Sequence, residues 1–240
     1  FHWTERVNVV RGPVHADTEE RTYFTGTDRP RYTYSGIATS GGGAGYPTVS
    51  RPLGVPVPAN APLVAVTGTA DPEADPLTDT VNRSYVVTYV TAKGEEGPPS
   101  LPSLSVDWLP GQAVELAGLP GTVAGDWDLA TKRIYRRESS SGGDEYFLVG
   151  TVGIAVTSFT DNVDVVGAAI ASYQYYEPPQ DMHGLGVVPA GFLYGFSKNQ
   201  VCLSEPYLPH AWDPDIRLPT SYPIVGGGNF GDTIVAITTK

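Results

Sequence analysis

Along Arg83–Thr91 ("RSYVVTYVT") apolar side chains fill both rows of an extended chain: Tyr85, Val87 and Tyr89 share one face, Val86, Thr88 and Val90 the other. A strand that is apolar on both faces belongs in the middle of a sheet with a second sheet over one side. The segment that follows, "AKGEEGPPS", supplies a Gly-centred turn, and Pro98 and Pro99 lack the N–H groups that would continue a ladder. Further alternating runs are "LVAVTGT", "LSVDW", "AVELAGL", "KRIYRRE", "EYFLVGTV" and "TSFTD", separated by turn signals such as "SSSGGDE". About seven short strands at this spacing predict a β-sandwich.

The pattern changes on either side. Residues 1–60 hold short pieces ("VNVV", "RTYF", "RYTY") broken by "GPVHADTEE", "SGGGAGYP" and "RPLGVPVP". The glycines from Gly41 to Gly45 loosen the backbone, whereas Pro52, Pro56 and Pro58 stiffen it. This predicts an extended docking arm and a linker with no core of their own. In residues 171–240, "GFLYGF" and "QVCLSE" read as a hairpin turning at "SKN", and "TIVAIT" as a third strand after the Gly-rich "GGGNFGD". Such a strand triplet suits part of a β-propeller blade. The expected organisation is therefore all-β: an arm over 1–60, a sandwich over 61–170 and propeller-like strands over 171–240. A start at Phe1 and an uncapped "IVAITTK" at the end lead us to expect part of a longer polypeptide.

Composition agrees with this reading. Gly (28) and Pro (22) are abundant against 17% charged residues, so the chain is rich in turns, and 40% hydrophobic content can fill a core. A net charge of -11, with no basic cluster, argues against gripping nucleic acid or an anionic membrane. The single Cys202 excludes an internal disulfide. No run reaches the roughly 18 apolar residues of a membrane-spanning helix, and Phe1–Val10 is too polar for a signal peptide.

Candidate chemistry is sparse. Asp71, Glu73, Asp75 and Asp79 carry the oxygens Ca²⁺ prefers, but Pro76 stands where a calcium loop needs its Gly, so a solvated loop is expected. Glu205, His210, Trp212, Asp213 and Asp215 pair carboxylates with an aromatic platform, the residue types of a sugar site, although three X-Pro steps make a turning connection the plainer reading. His2, His15, His183 and His210 are too scattered for a zinc site, and Cys202 reads as a small buried residue. Ser204 lies in no nucleophile elbow. Gly226, Gly228 and Gly231 match GxGxxG, but a strand follows them where phosphate binding needs a helix, so a bulge or tight turn is expected. In "KRIYRR", Lys132 and Arg136 flank Ile134 while Arg133 and Arg137 flank Tyr135, which predicts a charge-protected edge strand. The sequence thus predicts a non-enzyme with no catalytic, cofactor or metal residues.

The runs "YVVTYVTAKGEEGPPS", "KRIYRRESSSGGDEYFLVGTV" and "TSFTDNV", the last strand ending at Asp161, resemble a fibronectin type III-like domain of phage virion proteins over residues 62 to about 167. "GFLYGFSKNQVCLSEPYLPHAW" is similar to a segment of propeller-bearing phage tail proteins. Together with the arm, the chain resembles the N-terminal part of a short-tailed phage tail nozzle or tail tubular protein. That resemblance implies a virion location, a homo-oligomeric ring on the DNA-ejection channel, contacts with a tail adaptor and fibres, and no cofactor. The alternative is a carbohydrate-binding or receptor-binding sandwich, as in a fibre or a glycosidase accessory domain, with Trp212 as the sugar platform.

Overall fold

A computed structural model describes residues 7–14, 17–41, 45, 47–139 and 145–240. His2, His15, most of the Gly41–Gly45 run and the "SSGGD" part of the predicted hairpin turn lie outside these residues. In chain order the elements begin with β1 (Asn8–Arg11), β2 (Thr22–Thr25), β3 (Arg31–Thr33), the single-turn helix α1 (Ser35–Ala38) and β4 (Arg51–Pro52). Then come β5 (Leu63–Thr67), β6 (Val81–Thr91), β7 (Val106–Trp108), β8 (Ala113–Ala117), β9 (Leu129–Glu138), β10 (Phe147–Gly153) and β11 (Phe159–Asp161). The chain continues with β12 (His183–Val187), β13 (Leu193–Ser197), β14 (Gln200–Leu203), β15 (Leu218–Pro219), β16 (Ile224–Phe230) and β17 (Thr233–Thr238). The protein is all-β, built from several antiparallel sheets, none of them closed into a barrel.

Two compact units emerge. One combines Phe1–Val55, Gly125–Trp127 and Gln174–Lys240; the other combines Pro56–Ala124 and Asp128–Tyr173.

In the second unit the sheets run β10-β9-β6-β7 and β11-β8-β5, and one apolar core joins them. Tyr85 and Val87 from β6, Ile134 from β9, and Val114 and Leu116 from β8 meet there. The opposite row of β6 and β9, through Val86 and Tyr135, packs on Tyr146 and Ile170. The strand read as central is central, because both of its rows are buried. The proline-rich stretch after it still bonds to β6 at every third residue: Gly97, Ser100 and Ser103 donate their N–H groups to the carbonyls of Tyr89, Val87 and Tyr85. Ser100 and Ser103 also accept from the N–H groups of Val87 and Tyr85, at 3.1 and 3.0 Å. A three-residue period matches polyproline geometry, so the prolines fall where no donor is needed.

One expectation is overturned in this unit. "KRIYRR" is not an edge: β9 lies between β10 and β6, and Lys132 and Arg136 are buried. Charges survive there because each finds partners, as described below.

The first unit corrects the extended arm. Strands β1-β2-β3-β4 form a four-stranded meander rather than an extended arm. Tyr23 and Tyr32 from these strands, with Leu53 directly after β4, share one core with Met182, Leu185, Leu193, Cys202 and Trp212. The strands bury no core alone, and the apolar surface they need lies more than a hundred residues downstream. A second meander runs β12-β13-β14-β15, with the predicted β13–β14 hairpin turning at Lys198, whose φ is 54°. "TIVAIT" does not join that hairpin. As β17 it pairs with β16, so most of the "GGGNFG" run is strand, with a register shift between Ile224 and Gly226 and a turn at Gly231. Ile234 and Ala236 of β17 pack on Tyr194, Phe196, Val201 and Ile224.

Candidate functional site

The segment after β14 assembles the residue types of a sugar site, yet the geometry turns them inward. Trp212 is 1% exposed within the first unit's core, and its indole N–H donates to the Pro209 carbonyl at 2.9 Å. His210 is buried, edge-on to the Tyr175 ring at 6.0 Å. Asp213 caps the 3-10 turn Pro214–Ile216 by accepting from the Asp215 N–H at 2.7 Å, and Asp215 accepts weakly from Gln174. Glu205 uses its backbone to close the loop, donating to Ala211 and accepting from Leu208. No aromatic face is left for a sugar ring at Trp212.

The acidic loop is likewise occupied with its own turns. Asp71 accepts from the Glu73 N–H, Asp75 from the Leu77 N–H, and Asp79 from the Asp75 N–H and the Thr78 hydroxyl. Among the described residues no three His, Cys, Asp or Glu side chains converge as metal ligands would. Cys202 is buried, and burial pushes its thiol pKa up, away from the reactive thiolate. Ser204 accepts from the Leu193 N–H and donates to the Glu205 carbonyl, a backbone strut within the sheet. His183 lies on β12, its ring 6.1 Å from that of Phe196.

The densest polar constellation lies inside the second unit, where no sequence motif marks it. Asp161 is fully buried and accepts from the Tyr85 hydroxyl and from Arg136 Nη1, each at 2.8 Å, while its second oxygen takes the Val163 N–H. Arg136 also donates to the Val163 carbonyl and pairs through Nε with Glu138 at 3.0 Å. Glu138 in turn pairs with Arg83 at 2.8 Å, and the Arg83 guanidinium lies 3.4 Å above the Trp108 ring. Two carboxylates thus balance two guanidiniums. Burial pulls the Arg83 pKa down, with Arg136 adding to the effect, and burial next to the Asp161 carboxylate pushes the Tyr85 phenol far up. Lys132 donates to the carbonyls of Pro120 and Val156, and burial lowers its pKa. On the other face Glu96 accepts from Thr88, Tyr135 and Arg133. Each group holds another in place, as in a structural lattice. The sequence signal that could have found it is the pairing of inward charges on β9 with Asp161 at the end of β11.

What the fold leaves open is a surface. On the β16–β17 hairpin Val225, Phe230, Val235 and Ile237 are exposed at 61, 88, 51 and 59%. From Leu218 to Thr239 the only charged residue is Asp232. Among the described residues these two strands pair only with each other, and β17 carries neither the charge nor the proline that commonly blunts a free edge. Apolar surface of this kind is a candidate for contact with another protein body.

Compared with known proteins, the chain matches no family model and no curated protein sequence.

Proposed function

We propose that this chain is a structural component of a short-tailed phage tail, a nozzle or tail-tube subunit that works by assembling into a ring around the DNA-ejection channel. The observation that carries the proposal is the uncharged, apolar outer face of the β16–β17 hairpin, a surface suited to packing against another protein. Two features of the fold support it. In the second unit, β5–β11 form two sheets around one core, as a fibronectin type III-like sandwich requires, and the strands carrying the resemblance are β9, β10 and β11. In the first unit, β1–β4 and β12–β15 are each a four-stranded meander, the strand number and order of a propeller blade. The β16–β17 hairpin supplies the first pair of a third blade. An acidic chain suits a channel wall, because net negative charge does not retain passing phosphates.

The carbohydrate-binding alternative loses its platform with the burial of Trp212, and no other observation favours it. The test of the tail reading is saturable binding between the purified chain and the portal or adaptor protein encoded beside it. Binding supports the reading. Absence of affinity for every virion protein of the same particle overturns it.

A further inference from the structure

Residues 97–105 carry no charge and are held to β6 at Gly97, Ser100 and Ser103, one residue in three. That period turns the side chains between them away from the strand. Leu101 and Leu104, one period apart, are 73 and 86% exposed, and Pro102 between them is exposed as well. The prolines fix φ and the bonds to β6 hold the backbone, so this ridge is ordered before any partner arrives. A pre-formed polyproline ridge is the kind of ligand that docks in a groove walled by aromatic and apolar side chains.

The first unit holds such a groove. Its volume is about 410 Å³, and Pro13, Val187, Pro189, Tyr207 and Asn229 line it, with no charged residue among the described lining. Tyr207 has φ 60°, in the left-handed region that a ring-bearing residue enters only at a cost. Its ring lies over Gly191, where an added Cβ would come within 2.5 Å, and its N–H donates to the Gly191 carbonyl at 2.6 Å. The ring is thereby pinned, yet the residue stays 55% exposed. Asn229 accepts from the Tyr194 hydroxyl and donates one amide N–H to the Gly231 carbonyl, which leaves its second N–H for a carbonyl of a docked backbone.

We infer that the Leu101–Leu104 ridge of one copy docks in the Tyr207 groove of the next copy of the chain. Ridge and groove are unlike surfaces carried by the same chain, so their pairing is heterologous, and such a contact repeats around a ring when its rotation closes. A self-complementary patch would stop at a dimer. Charge favours the same pairing: copies with a net charge of -11 repel over most of their surface, and this contact brings two uncharged surfaces together. The inference rests on the ring reading and names the contact that builds it.

Sedimentation across a concentration series tests it on the wild type, a ridge variant Leu101→Gln/Leu104→Gln and a groove variant Tyr207→Asn, with Leu77→Gln, exposed at 94%, as the control. Glutamine leaves the net charge unchanged, and asparagine tolerates the left-handed backbone that Tyr207 occupies. Wild type and control are expected to associate alike, and each variant alone to need at least about tenfold higher concentration, as truncation of a buried contact does. The ridge variant keeps its groove and the groove variant its ridge. Their mixture is therefore expected to form a species of twice the 25.5 kDa chain that grows no further. An assembled wild type that neither variant weakens overturns this contact and leaves the tail reading intact. Variants that both weaken assembly but fail to pair when mixed overturn the head-to-tail docking. A wild type monomeric at every concentration overturns the inference as well, and the tail reading then stands or falls on binding to the adaptor or portal.

Discussion

Arg136 donates from Nη1 to Asp161 Oδ2 at 2.8 Å, with side chains 2% and 0% exposed, joining the last part of β9 to the end of β11. A buried pair of this kind contributes little relative to an apolar replacement of both partners, but removing one partner strands the other. Asp161→Ala should therefore cost about 3–5 kcal/mol in urea unfolding. Tyr85→Phe, which removes one of the donors to the same carboxylate, should cost about 1–3 kcal/mol. An Asp161→Ala loss below about 1 kcal/mol would mean that water replaces the carboxylate and the site is not dry.

Trp212 fills the core of the first unit, so Trp212→Ala should act on stability, by about 3–5 kcal/mol, through the cavity it leaves. Thermal unfolding measures this directly. A folded, equally stable variant that loses binding on a glycan array would restore the sugar-platform reading.

Ser100 and Ser103 supply the N–H donors that Pro98, Pro99 and Pro102 lack, and each also accepts a buried N–H of β6 on its hydroxyl oxygen. Ser100→Ala and Ser103→Ala should each cost about 1–3 kcal/mol, the penalty for an unsatisfied buried amide. Hydrogen exchange at Val87 and Tyr85 should accelerate in the matching variant; unchanged protection would contradict the assignment.

Asp17 supplies the pH test. Burial raises its pKa, but hydrogen bonds and charge from Arg21, with the Glu19 N–H, outweigh that and hold it below the ordinary value of 3.8. A carboxyl depressed in the folded state contributes stability that is fully present above the unfolded value and lost as pH falls through the folded one. Unfolding free energy should thus decline below pH 3.8, less steeply in Asp17→Asn than in the wild type. Identical slopes for the two proteins would show that the carboxylate is not so held.

Local pattern revealed those parts of the fold that local pattern determines. β6 was legible because both of its rows are apolar, and the β13–β14 hairpin because its turn residues separate two alternating runs. The N-terminal meander was not, because Tyr23, Tyr32 and Leu53 bury against Leu193, Cys202 and Trp212, partners no local window contains. β9 misled for the same reason. Lys132 and Arg136 look solvated until Asp161 and the carbonyls of Pro120 and Val156 are brought to them by the fold. Trp212 beside carboxylates has the composition of a binding site, and only three-dimensional burial shows that its ring faces the core.

The most direct test of the central claim is the mass of the purified chain in solution, alone and mixed with its tail adaptor, by sedimentation equilibrium or mass photometry. A ring subunit should give a discrete species several times the 25.5 kDa chain, closing at one fixed subunit number. A strict 25.5 kDa monomer that also ignores the adaptor would contradict it.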